Sequence, residues 1–300
     1  MSVLKYSKSN SMVINNIKSL FRKVNHRLNK LSVLGKLSLF WLIALLGIAI
    51  LGEHLIPHSH KIPEFQTLLE PNKVNLLGTD DLGIDLLSQI LYGARISMGV
   101  GLSVAFISVL IGSLAGGLAG YYQGRVDGAI MRVADAMLVI PRLPLTIVIA
   151  AFMGPSIYNI ILVLSLFSWA SVARIVRSLV LALMHEGYII MAKTYGGGFC
   201  YIFRNHIISK IAPVLAINFM KVMGSAITAE AGLAFIGLSD PTTRSWGVIL
   251  NHAMAFKGIY FTEFWKWWIV SPVVFMTLTM VSIAFLGREL EGKNSYGKSK

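Results

Sequence analysis

The stretch His185-Glu186-Gly187-Tyr188-Ile189-Ile190-Met191-Ala192-Lys193-Thr194-Tyr195-Gly196-Gly197-Gly198 separates two long apolar segments. Its first part can form about two helical turns that end at Gly196, because glycine adopts the left-handed backbone angles of a helix C-terminus. Apolar residues then return at helical spacing: Phe199, Ile202, Phe203, His206, Ile207 and Ile211. The pattern predicts a short helix, a glycine turn and a second helix that continues into the next apolar segment.

The same pattern is also typical of an ordinary basic loop, since glycine-broken amphipathic segments are common in loops. Lys193, Arg204 and Lys210 would then serve only to keep the loop on the cytoplasmic side. The residue pattern alone leaves both interpretations open.

The composition is that of an integral membrane protein. The 300 residues are 55% hydrophobic and only 14% charged, with a mean hydropathy of +0.67, which leaves too little polar surface for a soluble domain. The single cysteine, Cys200, excludes an internal disulfide and a cysteine-rich metal site.

The net charge of +13 is concentrated in places that favour a membrane topology signal over nucleic-acid binding. Residues 1–36 carry eight Lys/Arg and no acid, without interleaved aromatics on which bases could stack. We therefore predict a basic cytoplasmic tail over residues 1–32 that also contacts the anionic lipid bilayer, and no nucleic-acid partner.

Apolar segments predict six transmembrane helices, at about 33–56, 96–124, 129–153, 157 to 174–177, 211–238 and 267–287. Pro141 and Pro144 predict that the inner half of the third span is kinked or locally open. Gly112, Gly116 and Gly120 recur every four residues in the second span and predict a smooth face for close helix packing.

Charge counts orient the spans. The segment after the first span carries six acidic against three basic residues up to Arg95, whereas the inner connections carry seven basic against two acidic residues. The positive-inside rule then predicts that both termini, and the loop around Gly196, are cytoplasmic.

That loop resembles the ATPase-coupling loop of ABC importer permeases, whose pattern is Glu-Ala-Ala, three residues, Gly, and a later Ile-x-Leu-Pro. Ala192 and Gly196 fall in register, and His206-Ile207 follows at the right distance. Three positions depart from the pattern: Ile190 replaces Glu, Met191 replaces the first Ala, and Ser209 replaces Pro.

Two further stretches resemble the dipeptide, oligopeptide and nickel permeases of that group. Residues 75–88, continued by 92–97, are similar to the segment before the second membrane helix, except that Ile84 stands where Arg is usual. Residues 229–238 and 245–247 are similar to the last outer segment. Together the matches extend in order from about residue 30 to 290.

The resemblance implies an all-α polytopic membrane protein with the six transmembrane helices of the type I ABC importer permease (MetI-like) fold, of the second-permease type. It also implies the partners: a second permease subunit in a heterodimer, two cytoplasmic ABC ATPases and an extracytoplasmic substrate-binding protein. The residues expected to form the ATPase-coupling surface are Glu186, Tyr188, Ile190, Met191, Ala192, Gly196, His206 and Ile207.

We divide the chain accordingly. Residues 33–94 hold the first transmembrane helix and an acidic extracytoplasmic segment. Residues 95–290 form a five-helix transmembrane core with the coupling loop at 184–210, and 291–300 form a cytoplasmic tail. The expected function is the permease subunit of an ATP-driven importer for di- or oligopeptides, nickel or metal-chelate complexes.

The chain carries no recognisable ATPase site of its own, so it is not expected to be an enzyme or to need a cofactor. Residues 287–294 come close to a phosphate-binding loop, but Asn294 replaces the Ser/Thr that would hold magnesium, and too few residues follow for the required helix. Hydrolysis must then come from partner subunits.

Asp135 and Glu230 are the intramembrane carboxylates expected at the translocation path, since a buried charge is costly and usually serves function. Asp135 could instead pair with Arg132 or Arg142. An alternative function is a secondary transporter with a carboxylate relay through Asp135 or Glu230, and a second is a non-transporting scaffold.

Two further groups of polar residues lie on the outer side. His54, His58 and His60 have the side chains that bind Ni²⁺, Zn²⁺ or Co²⁺, although no further ligand follows at regular spacing. Asp80, Asp81 and Asp85 do not fit a calcium loop. They are expected to cap the next helix, as Thr79 and Asp80 could.

Overall fold

The computed structural model describes residues 31–56, 58–240 and 242–296, and only the backbone of 53–55 and 292–296. These residues form helices and connecting loops without a strand; the one isolated bridge joins Thr79 and Asp85. The predicted N-terminal tail, residues 1–32, lies almost entirely outside the described residues. The helices are α1 (Val33–Leu55), α2 (Leu86–Tyr122), α3 (Gly124–Val139), α4 (Arg142–Met153), α5 (Ile157–Leu183), α6 (Gly187–Thr194), α7 (Phe199–Ile202), α8 (Ile208–Phe235), α9 (Trp246–Ala255), α10 (Trp265–Trp268) and α11 (Val270–Tyr296).

Within the described residues, five helical segments are long and apolar enough to cross a membrane: 33–52, 86–122, 157–183, 199–235 and 265–291. The bent pair α3 and α4 makes a sixth span if it is counted as one. The chain is thus a multi-pass membrane protein, and its helix count agrees with the six predicted spans.

The predicted kink in the third span is confirmed as a break of 87° between α3 and α4. Ile140 is extended and Pro141 precedes the first residue of α4. Proline has no amide proton to donate and disfavours a helical residue before it, so the helix cannot continue through this position.

Helix α2 begins at Leu86, ten residues before the predicted start of the second span. Asp85 caps it by accepting hydrogen bonds from the Ser88 amide (2.8 Å) and hydroxyl (2.7 Å). The expectation that this aspartate cluster caps the helix is confirmed for Asp85, whereas Thr79 and Asp80 do not cap it. Asp80 instead accepts from the Ile84 amide (2.8 Å) and from Gln89 (2.7 Å), so these carboxylates brace the turn before α2.

The predicted glycine strip packs α2 against α5. A Cβ on Gly116 would lie 2.3 Å from the Ala173 carbonyl oxygen, and one on Gly112 would lie 2.6 Å from the Val172 Cβ. Gly120 meets Val180 in the same way, at 2.8 Å. The two helices approach too closely for any side chain at these positions, which confirms the packing role.

Helix α2 also packs against α8 and α1, while α11 packs against both α1 and α8. The near-match to a phosphate-binding loop at residues 287–294 belongs to helix α11. Its backbone amides are therefore used in helical hydrogen bonds and do not form a loop around a phosphate.

Candidate functional site

The short helix α6 ends as the sequence predicts. Gly196 has a left-handed φ of +85° and donates to the Lys193 carbonyl (3.0 Å), and Gly197 donates to the Ala192 carbonyl (2.9 Å). This pair of bonds is a Schellman motif. A Cβ on Gly197 would lie 2.6 Å from the Ala192 carbonyl oxygen, so the turn needs glycine at both positions.

Helix α6 is held against the helix bundle by one buried side chain and by contacts near its C-terminal end. Ile189 is fully buried. The Tyr121 hydroxyl, from the last turn of α2, donates to the Gly197 carbonyl (3.4 Å), and the Lys193 ammonium lies 5.3 Å from the centre of the Tyr121 ring. The short helix and its glycine turn are therefore attached to α2.

The second helix of the loop leads directly into α8. Ile202, Phe203 and Ile211 are buried, as their helical spacing predicts. Sequence analysis did not anticipate that residues 203–207 form a single π-helical turn between α7 and α8. Such turns insert one extra residue in a helix and occur often at functional sites.

Most of the predicted coupling residues are accessible. Glu186 and Gly196 are exposed and Ala192 is half-buried. Large apolar side chains are also exposed on α6 and at its end: Tyr188 (39% exposed), Ile190 (52%), Met191 (58%) and Tyr195 (83%). Three of them were predicted to contact an ATPase, whereas Tyr195 was not; after that prediction we call the four the coupling surface. Exposed apolar side chains grouped on one short segment are typical of a protein-binding surface.

Two predicted coupling residues lie deeper. Ile207 is fully buried, and its side chain packs in the core instead of facing a partner. His206 is half-buried, with its ring 6.0 Å from that of Tyr188 and 5.7 Å from that of Tyr201. His206 therefore lies next to Tyr188 of the coupling surface, whereas Ile207 belongs to the core.

Burial raises the pKa of the Tyr188 phenol, and the nearby Glu186 carboxylate raises it further. The phenol therefore stays uncharged at neutral pH. The coupling surface presents a neutral aromatic group there, which suits an apolar contact.

Asp135 is bound to Arg174 of α5, and the expected pairing with Arg132 or Arg142 is wrong. Asp127, about two helical turns earlier in α3, is bound to Arg177. Both ion pairs join α3 to α5. The break before α4 separates Asp135 from Arg142, which explains why neighbours in sequence are not partners in space.

Glu230 lies where α8, α2 and α9 meet, and it is fully buried. One carboxylate oxygen accepts from the Ser97 hydroxyl (3.3 Å), which in turn accepts from the Trp246 amide (3.3 Å). The other oxygen has no hydrogen-bond partner among the described residues. The carboxylate thus faces the N-terminus of α9, where the helix dipole favours negative charge.

The three histidines considered as candidate metal ligands do not form a site in the described part of the chain. His58 lies 3.8 Å from Glu64 and edge-on to Phe65, whereas His60 stacks on Tyr92 at 3.8 Å. The side chain of His54 lies outside the described residues. Nowhere in the described ranges do three His, Cys, Asp or Glu side chains converge.

Sequence analysis considered Arg142 only as a partner of Asp135. The structure places it instead on a cavity of about 530 Å³ between α4, α5 and α8. The sequence feature that could have drawn attention to Arg142 is an arginine between two prolines inside an apolar span, Pro141-Arg142-Leu143-Pro144.

Comparison with known proteins gives a consistent result. A family model described as "Binding-protein-dependent transport system inner membrane component" matches residues 87–290. The chain is 34% identical to the dipeptide transport system permease protein DppC of Bacillus subtilis over 265 residues, which cover 88% of this chain and 81% of that protein.

Glutathione transport system permease proteins are also similar. The chain is 32% identical to GsiD of Pectobacterium atrosepticum over 216 residues, covering 71% of this chain and 72% of that protein. It is 35% identical to GsiD of Escherichia coli O157:H7 over 218 residues, covering 72% of each.

Proposed function

Because this chain belongs to the family of binding-protein-dependent transport system inner membrane components, we propose that it forms the peptide path of an ATP-driven importer together with a second, similar permease. The relatives are named for dipeptide and glutathione transport, and both substrates are short peptides. Neither relative is named for nickel or a metal chelate. A di- or oligopeptide is therefore the substrate class that we propose.

The coupling surface is the observation that carries this proposal. It exposes Tyr188, Ile190, Met191 and Tyr195 on a segment that is fastened to α2 through Tyr121 and runs on into α8. A cytoplasmic ATPase that binds this surface would move α6, α2 and the start of α8 as one unit. ATP-driven closure of two ATPases would then reorient the bundle, as rigid-body switches do in other proteins.

The remaining partners follow from the same scheme. The two ATPases supply hydrolysis, since this chain is a transport subunit, and an extracytoplasmic binding protein delivers the substrate to the outer face. Both termini and the 184–210 loop lie in the cytoplasm, in agreement with their excess of basic residues.

Ile190 and Met191 replace charged or small residues of the usual coupling pattern, and both are more than half exposed. The contact with the ATPase is therefore apolar on this subunit. A negative charge placed there would have to be buried without a partner, which is costly at an interface.

The test compares Met191→Asp with Asn205→Asp in cells that express the whole transporter. Asn205 is exposed and lies in the same loop but outside the coupling surface, so it controls for the added charge. We expect Met191→Asp to reduce co-purification of the ATPases and peptide uptake by roughly tenfold, as for loss of an apolar interface residue. Asn205→Asp should behave as the wild type.

Two results would contradict the proposal. One is peptide uptake that persists after the ATPase genes are deleted, which is what a secondary transporter would give. The other is an Asp at position 191 that leaves both ATPase binding and uptake intact, which would remove the coupling surface from the mechanism.

A further inference from the structure

The cavity between α4, α5 and α8 has a mostly apolar lining that also contains several polar groups. Its hydroxyl groups come from Thr146 on α4, Ser168 on α5, and Ser225 and Thr228 on α8, and Leu164 and Phe167 supply apolar wall. Among the described residues, no acidic side chain lines it. Such a mixture of apolar wall and a few polar groups is typical of a site for a small organic molecule.

The cavity lies deep in the membrane. Ser168 is about eleven residues from the outer end of α5 and Ser225 about ten from the outer end of α8, which corresponds to roughly 15 Å at 1.5 Å per residue. The hydrocarbon core is about 30 Å thick, so the cavity is close to the bilayer midplane.

Arg142 adds a positive charge at this depth. Its guanidinium has no hydrogen bond and no ion pair with any described residue, whereas Arg174 and Arg177 on the facing helix are bound to Asp135 and Asp127. An unpaired arginine at the bilayer midplane is expensive unless it faces water or an anionic ligand. Arg142 is exposed at this position, so an anionic group of the substrate is a partner that fits it.

Glu230 does not compete for this arginine. The cavity is lined by Ser225, Ala226, Thr228, Ala229 and Gly232 of α8, whereas Glu230 is not part of the lining and accepts a hydrogen bond from Ser97 on α2.

We propose that Arg142 binds the terminal carboxylate of the peptide substrate as it crosses the membrane, with Ser168, Ser225 and Thr228 within the same cavity to hydrogen-bond the peptide amide groups. This inference rests on the proposed function and names the contact that the substrate makes. A guanidinium matches a carboxylate with two parallel hydrogen bonds, and that match is strong in a region of low dielectric constant. A volume of about 530 Å³ is of the right size for a small peptide.

The experiment uses the complete transporter, with its second permease, ATPases and binding protein, reconstituted in proteoliposomes. Uptake is measured for a dipeptide with a free C-terminal carboxylate and for the same dipeptide as its C-terminal amide. The ratio of acid to amide uptake is then compared between wild type and Arg142→Gln. Because the binding protein is the same in every sample, a change in this ratio reports on the membrane path.

We expect Arg142→Gln to lower the acid-to-amide ratio roughly tenfold, the effect of losing one charge-assisted hydrogen-bonded pair. Arg142→Lys keeps the charge but cannot form the two parallel hydrogen bonds, so its ratio should lie between those of Arg142→Gln and the wild type. Arg132→Gln, in α3, removes the same charge from the same bent span without touching the cavity, and it should leave the ratio unchanged.

Several outcomes would overturn the inference. An assembled Arg142→Gln transporter with an unchanged ratio would exclude a carboxylate contact, and so would equal loss of acid and amide uptake, which points to a structural role or to a lipid phosphate as the anion. If Arg142→Gln does not assemble, an assembled Arg142→Lys transporter with the wild-type ratio overturns the inference, because the paired hydrogen bonds would then make no contribution. A wild-type transporter that moves neither peptide overturns the proposed function itself.

Discussion

At the scale of single residues, the segment between α1 and α2 contains a carboxylate, Asp81, whose charged form is unfavourable in the folded protein. One Asp81 oxygen is buried without a hydrogen-bond partner among the described residues. Burial raises the pKa of the Asp81 carboxyl and the adjacent Asp80 raises it further, while His252 and Arg244 offset part of the effect. The ionised form is therefore less favourable in the folded protein than in the unfolded chain.

The sign of the pH dependence follows from this shift. The folded-state pKa of Asp81 lies above the ordinary value of 3.8, so protonation of Asp81 stabilises the folded protein. This stabilisation is complete below that value and is lost as the pH rises through the folded-state pKa. At pH 7 the charged Asp81 lowers stability. We predict that Asp81→Asn raises the thermal unfolding midpoint of the purified transporter at pH 7 and that this gain disappears as the pH falls toward 4.

Glu70→Gln removes the same charge from an exposed position in the same segment and controls for net charge. A gain for Asp81→Asn that is the same at pH 4 and pH 7 would show that the amide improves packing and that ionisation of Asp81 is not the cause.

At the scale of helices, the interface of α2 with α5 has the least tolerance for added volume. A methyl group at Gly116 would lie 2.3 Å from backbone oxygen, which cannot move away as a flexible side chain can. We predict that Gly116→Ala destabilises the bundle by about 1–3 kcal/mol, measured as a lower thermal unfolding midpoint of the transporter in detergent.

Gly99 provides the matched comparison on the same helix. A Cβ at Gly99 would meet no atom within 4 Å, and alanine is the better helix former by about 1 kcal/mol. Gly99→Ala should therefore leave the midpoint unchanged or raise it. Equal effects of the two substitutions would mean that close packing is not the reason for the glycine strip.

At the scale of the whole molecule, the coupling proposal requires that the 184–210 loop face the cytoplasm. The single cysteine, Cys200, is exposed in this loop and reports on its side without any mutation. We predict that a membrane-impermeant maleimide does not label Cys200 in intact cells and labels it in inside-out vesicles.

Lys73, exposed in the acidic segment between α1 and α2, gives the opposite test. Lys73→Cys in a Cys200→Ser background should be labelled in intact cells and protected in inside-out vesicles. Labelling of Cys200 from outside the cell would show that the topology is the reverse of the predicted one. The coupling surface could then not contact a cytoplasmic ATPase.

Features that depend on neighbours along the chain were predictable. Apolar run length indicated the spans, the proline pair indicated the broken third span, and Gly196 marked the end of α6, because these effects act within one or two helical turns. The four-residue glycine period likewise indicated a packing face. The start of α2 was misplaced because its cap, Asp85, lies in a cluster of three aspartates that local pattern does not distinguish.

The sequence by itself thus determined a helical membrane protein, its family and the position of the short helix and glycine turn over residues 187–198. Only the tertiary structure decided that Asp135 binds Arg174, that Ile207 is buried in the core, and that Arg142 lines a cavity. The physical reason is that each of these outcomes depends on how one helix is rotated and placed against another. Periodicity states which residues share a helical face, but the partner of that face comes from a distant part of the chain.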